Sequence, residues 1–264
     1  MLEGSQPKRT HAPVAEHHGT KVVAPGDRLP ELSPLNQDRA IALLKSRDLL
    51  PEILEQLSQN DAAMKSRKVA LALAAHPRAP RHLVLRLIRQ FYTFDLMSFT
   101  LHTAVAADLK HAADQQLIAR LDSVTLGERL TLARRGAQAV AAALLLDKEF
   151  RVAHTALENS RLTEADVIRA IIRPNATSAF VGSVCHHPKW SARREIRMAL
   201  LRSQHTPLAC ALEFGSALPP ALLRDILHAS RLPEKIKAYL RRSSRFEREK
   251  TNPRATNARH RFPK

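Results

Sequence analysis

Apolar residues along the middle of the chain fall at spacings of three and four, the period of a helix with one buried face, and never alternate for long in the strand period of two. KSRKVALALAAH (65–76) is one such stretch, closed by His76-Pro77, and PRHLVLRLIRQ (80–90) is the next. The second begins on proline, which at the first helical position gives up an N–H that has no intrahelical partner in any case. Its apolar face is Leu83, Val84, Leu87 and Ile88. The pattern then returns. Val167, Ile168, Ile171 and Ile172 repeat those four at one constant offset, and Val152 and Ala156 repeat Val69 and Leu73 at nearly the same one.

Helix-start signals support a repeat. Thr125 with Glu128, and Thr163 with Asp166, have capping-box spacing: the hydroxyl bonds into the first turn while the carboxylate reaches back to the cap N–H. Thr206-Pro207 and Leu232-Pro233 open two further helices. First helical positions are therefore expected at 80, 126, 164, 207 and 233, with the last step the shortest. The first helix of each pair is expected at about 65–75, 108–121, 149–158 and 191–202, among roughly twelve to fifteen short helices joined by two to six residues.

Composition agrees with an all-α chain. Aromatics are 4% of 264 residues and glycines number seven, too few of the side chains that strands and their turns favour. Residues 1–35 carry Pro7, Pro13, Pro25, Pro30 and Pro34 and form no apolar face, so they are expected to be a disordered leader. Residues 243–264 contain no Leu, Ile, Val or Met and are expected to be a disordered basic tail. The helical repeat domain is then 36–242. Two cysteines, Cys185 and Cys210, make no disulfide framework, and Met1 is not followed by an apolar signal segment. The expected location is the cytoplasm, with no membrane partner.

LARRGAQAVAAALLLDKEFRVAHTALENSRLTEADV (132–167) and HPKWSARREIRMALLRSQHTPLACAL (187–212) resemble the bacterial leucine-rich-repeat-variant and HEAT-like families over residues 40–242. The first three expected steps fall near the roughly 40–47 residues of such helical hairpins. The resemblance implies a right-handed α-solenoid of stacked helical hairpins. Some leucine-rich-repeat-variant proteins also hold an iron–sulfur cluster on N-terminal cysteines, but no cysteine precedes position 185 here, so no cofactor is implied.

Charge adds a partner class. The chain carries 42 basic and 25 acidic residues, a net +17, and residues 241–264 alone contribute nine basic against two acidic. Such a balance favours polyanions. At the same distance past four of the helix starts stand Arg89, Arg135, Arg173 and Arg242, a candidate line along one edge of a solenoid. Each is also expected in a last helical turn, where a cation meets unpaired carbonyls. Arg193 and Arg197 in SARREIRMALL form a second candidate cluster, one turn apart. CHHPKW (185–190) offers Cys, His and His as adjacent residues that cannot all face one metal ion, so no metal site is expected, and Trp190 reads as a packing residue aligned with Phe150.

Phosphate-loop, nucleophile-elbow and zincin motifs are absent. The expected function is non-catalytic: a helical-repeat scaffold presenting an extended surface to an unidentified protein partner. The alternative is a nucleic-acid-binding module using the body arginines and basic tail. A further alternative is a DNA glycosylase built of HEAT-like repeats, which the chain resembles in fold and charge, although the aromatic and carboxylate constellation of those enzymes is not placed by Trp190, Tyr92 and Tyr239. The oligomeric state is left open.

Overall fold

The computed structural model describes residues 36–251, with side chains described through Arg242. The expected leader 1–35 and the end of the expected tail lie outside the described residues. The rest is all helical, with seventeen helices and no strand among the described residues. In order they are α1 Gln37–Leu44, α2 Pro51–Gln59, α3 Asp61–Met64, α4 Arg67–Ala74, α5 Arg81–Gln90 and α6 Thr93–Leu101. Then come α7 Ala107–Arg120, α8 Leu126–Arg135, α9 Gln138–Leu144, α10 Phe150–Leu157, α11 Glu164–Ile172 and α12 Ser178–His186. The chain continues through α13 Pro188–Ser191, α14 Arg194–Arg202, α15 Leu208–Ser216, α16 Pro220–His228 and α17 Glu234–Thr251.

Local signals account for most of these limits. Both capping boxes form: Thr125 accepts from the Glu128 N–H while Glu128 accepts from the Thr125 N–H, and Thr163 and Asp166 do the same. Pro51, Pro188 and Pro220 sit at the first helical position. Pro80 and Pro207 lie one residue earlier than expected, as the extended caps themselves, with φ of −58° and −59°. At the end of α8 the Gly136 N–H closes on the Leu132 carbonyl at 2.7 Å. A β-carbon there would stand 2.5 Å from that carbonyl oxygen, so only glycine allows so tight an exit. α17 continues through Thr251, past the boundary expected at 243. Arg, Glu and Lys are good helix formers, and adding residues to an existing helix costs little once it is nucleated.

Helices recur at closer steps than those expected from the sequence. Alternate helices start at 81 (α5), 107 (α7), 138 (α9), 164 (α11), 194 (α14) and 220 (α16). The helices between them start at 93 (α6), 126 (α8), 150 (α10), 178 (α12), 208 (α15) and 234 (α17). Every step within either series is shorter than the shortest of the first three expected steps, 126→164. The expected steps 80→126, 126→164 and 164→207 each cross from one series to the other, and so count three helices as two. The cause is physical: every short helix facing a common core shows the same i, i+3, i+4 apolar pattern, so periodicity alone cannot tell a helix from its antiparallel neighbour.

Packing is local in the chain. The substantial helix–helix contacts join helices no more than three places apart, as α1 with α4, α8 with α10, α11 with α14 and α15 with α17. The core is one continuous cluster of buried side chains, including Leu54, Leu73, Leu83, Phe99, Leu117, Leu132, Phe180, Trp190 and Phe214. Trp190 has the packing role expected of it, 1% exposed with its indole N–H donating to the Leu157 carbonyl at 2.9 Å. Phe150, its expected counterpart, is 51% exposed and fills no equivalent place.

Buried polar residues hold successive turns together. Asn159 accepts the Arg161 N–H at Oδ1 and donates through Nδ2 to the Ala133 and Gly136 carbonyls one unit back. His76 takes the Arg78 N–H on Nδ1, which must therefore be unprotonated, so Nε2 carries the proton and donates to the Ser46 carbonyl at 2.9 Å. His187 does the same between Lys189 and Glu158, and Ser230 between Leu232 and the Leu201 carbonyl. Three side-chain types thus solve one problem: an acceptor for their own turn and a donor for the preceding one.

Candidate macromolecular interface

The two ends of the helices form two chemically different edges. Arg81 and Asp108, in the first turns of α5 and α7, form an ion pair. At the other ends Arg120 donates to the Arg89 and Phe91 carbonyls, both at 2.7 Å. α5 and α7 therefore run the same way and α6 returns between them. Gln138 with Asp166 joins the starts of α9 and α11 in the same manner, and Arg193 with Glu164 joins those of α14 and α11. The first edge holds the starts of α5, α7, α9, α11, α14 and α16, and the second edge holds their ends.

Several charges on the first edge are paired within the fold, although Arg134 and Arg135 at the end of α8 are not, among the described residues. Besides Arg81–Asp108, Arg193 pairs with Glu164 at 3.2 Å, Arg78 with Asp48 at 3.5 Å, and Gln138 donates to Asp166 at 2.8 Å. Burial pushes the Asp166 carboxyl up, but hydrogen bonds from Thr163 and Gln138 outweigh it and hold the group below the usual carboxylate range. On the second edge the ion pairs that join one helix to another lie in the N-terminal half, Arg67–Asp95 at 2.8 Å and the buried Arg129–Asp147 pair at 2.9 Å. Farther along that edge, Glu234 pairs only within its own helix, with Lys237 and Arg241.

The candidate arginines do not form one line. Arg89 and Arg173 lie at the ends of α5 and α11, on the second edge. Arg135 ends α8, an intervening helix, and so falls on the first edge. Arg242 is interior to α17 rather than in a last turn. The three-helix step explains the scatter, because an odd number of reversals moves a helix end to the opposite edge. Arg193 is the N-cap of α14, one residue before the helix begins. Arg197 is half-buried, donating to the Ser191 carbonyl with its guanidinium 5.2 Å from the Phe214 ring. Both members of that cluster are engaged within the fold.

Grooves open to solvent between neighbouring helices. One, of about 490 Å³, runs between α8 and α10 and is lined by Thr131, Arg134, Arg135, Arg151 and Thr155. Another, of about 430 Å³, lies between α10 and α12 beside Phe150, His154, Ser183 and His186. A smaller one, of about 160 Å³, lies on the second edge among Ile172, Arg173, Arg202, His205 and Arg231. Arg202 and Arg231 are not among the sequence candidates. Their signal is a constant step, 173→202→231, which a unit read at its expected length passes over.

No family model, curated protein or solved structure matches the chain. Its chemistry therefore rests on its own residues. In CHHPKW the three candidate ligands diverge: Cys185 is buried beside Cys210, His186 Nε2 lies 3.9 Å from the Cys210 sulfur, and His187 turns to Glu158. Among the described residues no group of three or more His, Cys, Asp or Glu gathers to hold a metal. Burial and the neighbouring Cys210 push the Cys185 thiol well up, away from the thiolate form that reacts. Among the described residues no helix is long and apolar enough to cross a membrane.

One buried acid lies apart from both edges. Asp114 in α7 is 8% exposed, its Oδ1 has no hydrogen-bond partner, and burial pushes its pKa up to about 6, against the opposing pull of His111 and Lys110. A carboxyl titrating higher in the folded state favours folding below its unfolded pKa, and that contribution is lost as pH rises through about 6. Asp114→Asn should therefore be more stable than the parent at pH 8, by about 1–2 kcal/mol once solvent screening is allowed for. The gain should vanish at pH 4. Urea midpoints at the two pH values check this, and equal gains at both would contradict it.

Proposed function

We propose that the chain is a non-catalytic helical-repeat scaffold, an α-solenoid that presents an extended surface to a macromolecular partner. The observation that carries this reading is the restriction of packing to helices within three places along the chain. A protein packed in that way grows in one direction, unit upon unit, and gains surface with each unit rather than enclosing it. Grooves between helices of one series then repeat along the surface, as those between α8 and α10 and between α10 and α12 do. Partner chemistry is supplied by exposed cations such as Arg134, Arg135 and Arg151 and by the exposed Phe150 ring. The paired first-edge charges serve the stacking; the grooves, with Arg134 and Arg135, and the second edge are left for the partner.

A photo-cross-linking amino acid at Phe150 tests the reading, with the same group at His82 on the first edge as comparison. In native extract, the full chain carrying it at 150 should yield a discrete macromolecular adduct that the chain carrying it at 82 does not. Adducts at neither position, or only at 82, would contradict it.

A further inference from the structure

The last three turns of the second edge carry cations with no acid beside them. Arg173 is the C-cap of α11, Arg202 is the last residue of α14, and Arg231 lies in the turn three residues past the end of α16, at one constant step along the chain. All three are exposed, and among the described residues none has a side-chain hydrogen bond or ion pair. The turns themselves, residues 171–178, 200–208 and 228–233, contain no Asp or Glu. Glu234, just past the last of them, is held by Lys237 at 3.0 Å and Arg241 at 3.8 Å. The three turns touch: the Arg231 N–H donates to the Arg202 carbonyl at 3.0 Å, and Arg173, Arg202 and Arg231 line the same cavity of about 160 Å³. Outgoing helix C-termini and incoming N-termini meet on this edge, so their dipoles oppose each other and the side-chain charges set the local field.

We infer that these three turns form a binding track for a single nucleic-acid strand, an assignment that rests on the scaffold reading above and names its partner. Three guanidiniums around one cavity repel one another, and anions placed among them relieve that repulsion. α11 packs on α14 and α14 on α16, at the packed-helix spacing of about 8–10 Å, so the three turns follow one another along the edge. A single small anion satisfies one step of such a row; a polymer with charges along its length satisfies all three. Every cation in the row is Arg, whose planar fork takes two oxygens of one phosphate, where Lys offers only a point charge. Between the arginines lie Ile172, 56% exposed, Pro174 and the half-buried His205 ring. The His205 ring offers a face to an unpaired base, with Ile172 and Pro174 as apolar contacts beside it, and stacking is the usual second component of strand binding beside a cationic groove. An acidic polypeptide offers charge without rings to lay on them.

Fluorescence anisotropy of labelled oligo-dT and oligo-U with the full-length protein tests the track. Wild-type protein should bind at 50 mM salt and weaken steeply toward 200 mM. The variant R173Q/R202Q/R231Q should bind at least about tenfold more weakly, with a log–log salt slope shallower by about 2, since each phosphate contact on a single strand contributes about 0.7. R81Q/R193Q, on the first edge, should bind like wild type. Absence of binding at 50 mM, or unchanged affinity in the triple variant, overturns the track; the latter places binding outside these three turns. Equal displacement by poly-glutamate also overturns it, in favour of an acidic polypeptide. Should the triple variant melt without cooperativity, R202Q alone decides, with an expected loss of about threefold for one phosphate contact. If no strand binds while Phe150 still cross-links a protein, the track fails and the scaffold stands.

Discussion

Trp190→Ala is expected to lower stability by about 3–5 kcal/mol, the range for emptying a fully buried aromatic site. Trp190 is 1% exposed and fills the turn from α12 to α14 through the one-turn helix α13. Two separate losses add. The cavity forfeits the packing of the largest side chain in the core, and the Leu157 carbonyl loses the indole N–H that it accepts at 2.9 Å. Trp190→Phe separates them: most of the volume stays while the carbonyl is left unpaired, at about 1–2 kcal/mol. Lys189, 4.1 Å from the ring centroid, keeps a ring to rest on in that variant. For a folded region of this size the alanine variant should melt about 10 °C lower. Circular dichroism is the proper readout, because the chain holds one tryptophan and its fluorescence leaves with it. A loss under about 1 kcal/mol would mean that the turn repacks freely, and that the indole is not what joins α13 to α10.

What is legible in the sequence divides by range of interaction. Caps are local, and Thr125–Glu128 and Thr163–Asp166 form as their spacing requires. The buried face of α5 is Leu83, Val84, Leu87 and Ile88, as periodicity demands. The face expected on α11 holds only in part. Val167 and Ile171 are buried, while Ile172 is exposed at the helix end. A last-turn residue meets the core only if the following turn folds back over it, and the turn after α11 is open at the groove beside Arg173. The length of the unit is illegible because the strongest caps belong to both series of helices. The bonds that reveal it, such as His76 to Ser46 and Asn159 to Ala133, join residues 30 and 26 apart, and no local pattern announces them.

The candidate site is hidden for the same reason. Arg173 carries a visible signal, but the step that aligns Arg135 and Arg242 with it crosses from one edge to the other. Arg193 and Arg197 look like an open pair by helical spacing, yet one caps a helix and pairs with Glu164 while the other packs over Phe214. Whether an arginine is free depends on carboxylates and rings one unit away, which spacing along a single helix does not report.

Excision of residues 194–219 tests the central claim, stacking in a line, most directly. It removes α14 and α15 and joins Arg193 to Pro220. The junction is conformationally matched. Arg193 and Pro219 both precede a helix in extended backbone, with ψ of 129° and 137°, so Arg193 can lead into Pro220 as Pro219 does. With the unit removed, α16 and α17 meet α11 and α12 in place of α14 and α15, at the cost of one interface between units, several kcal/mol by the additive behaviour of stacked repeats. Linear stacking predicts a shorter protein that keeps its helical circular dichroism and melts cooperatively at a lower temperature. A chain that loses its helicity and no longer melts as a unit would contradict it, because those helices would then belong to a core that all the others share.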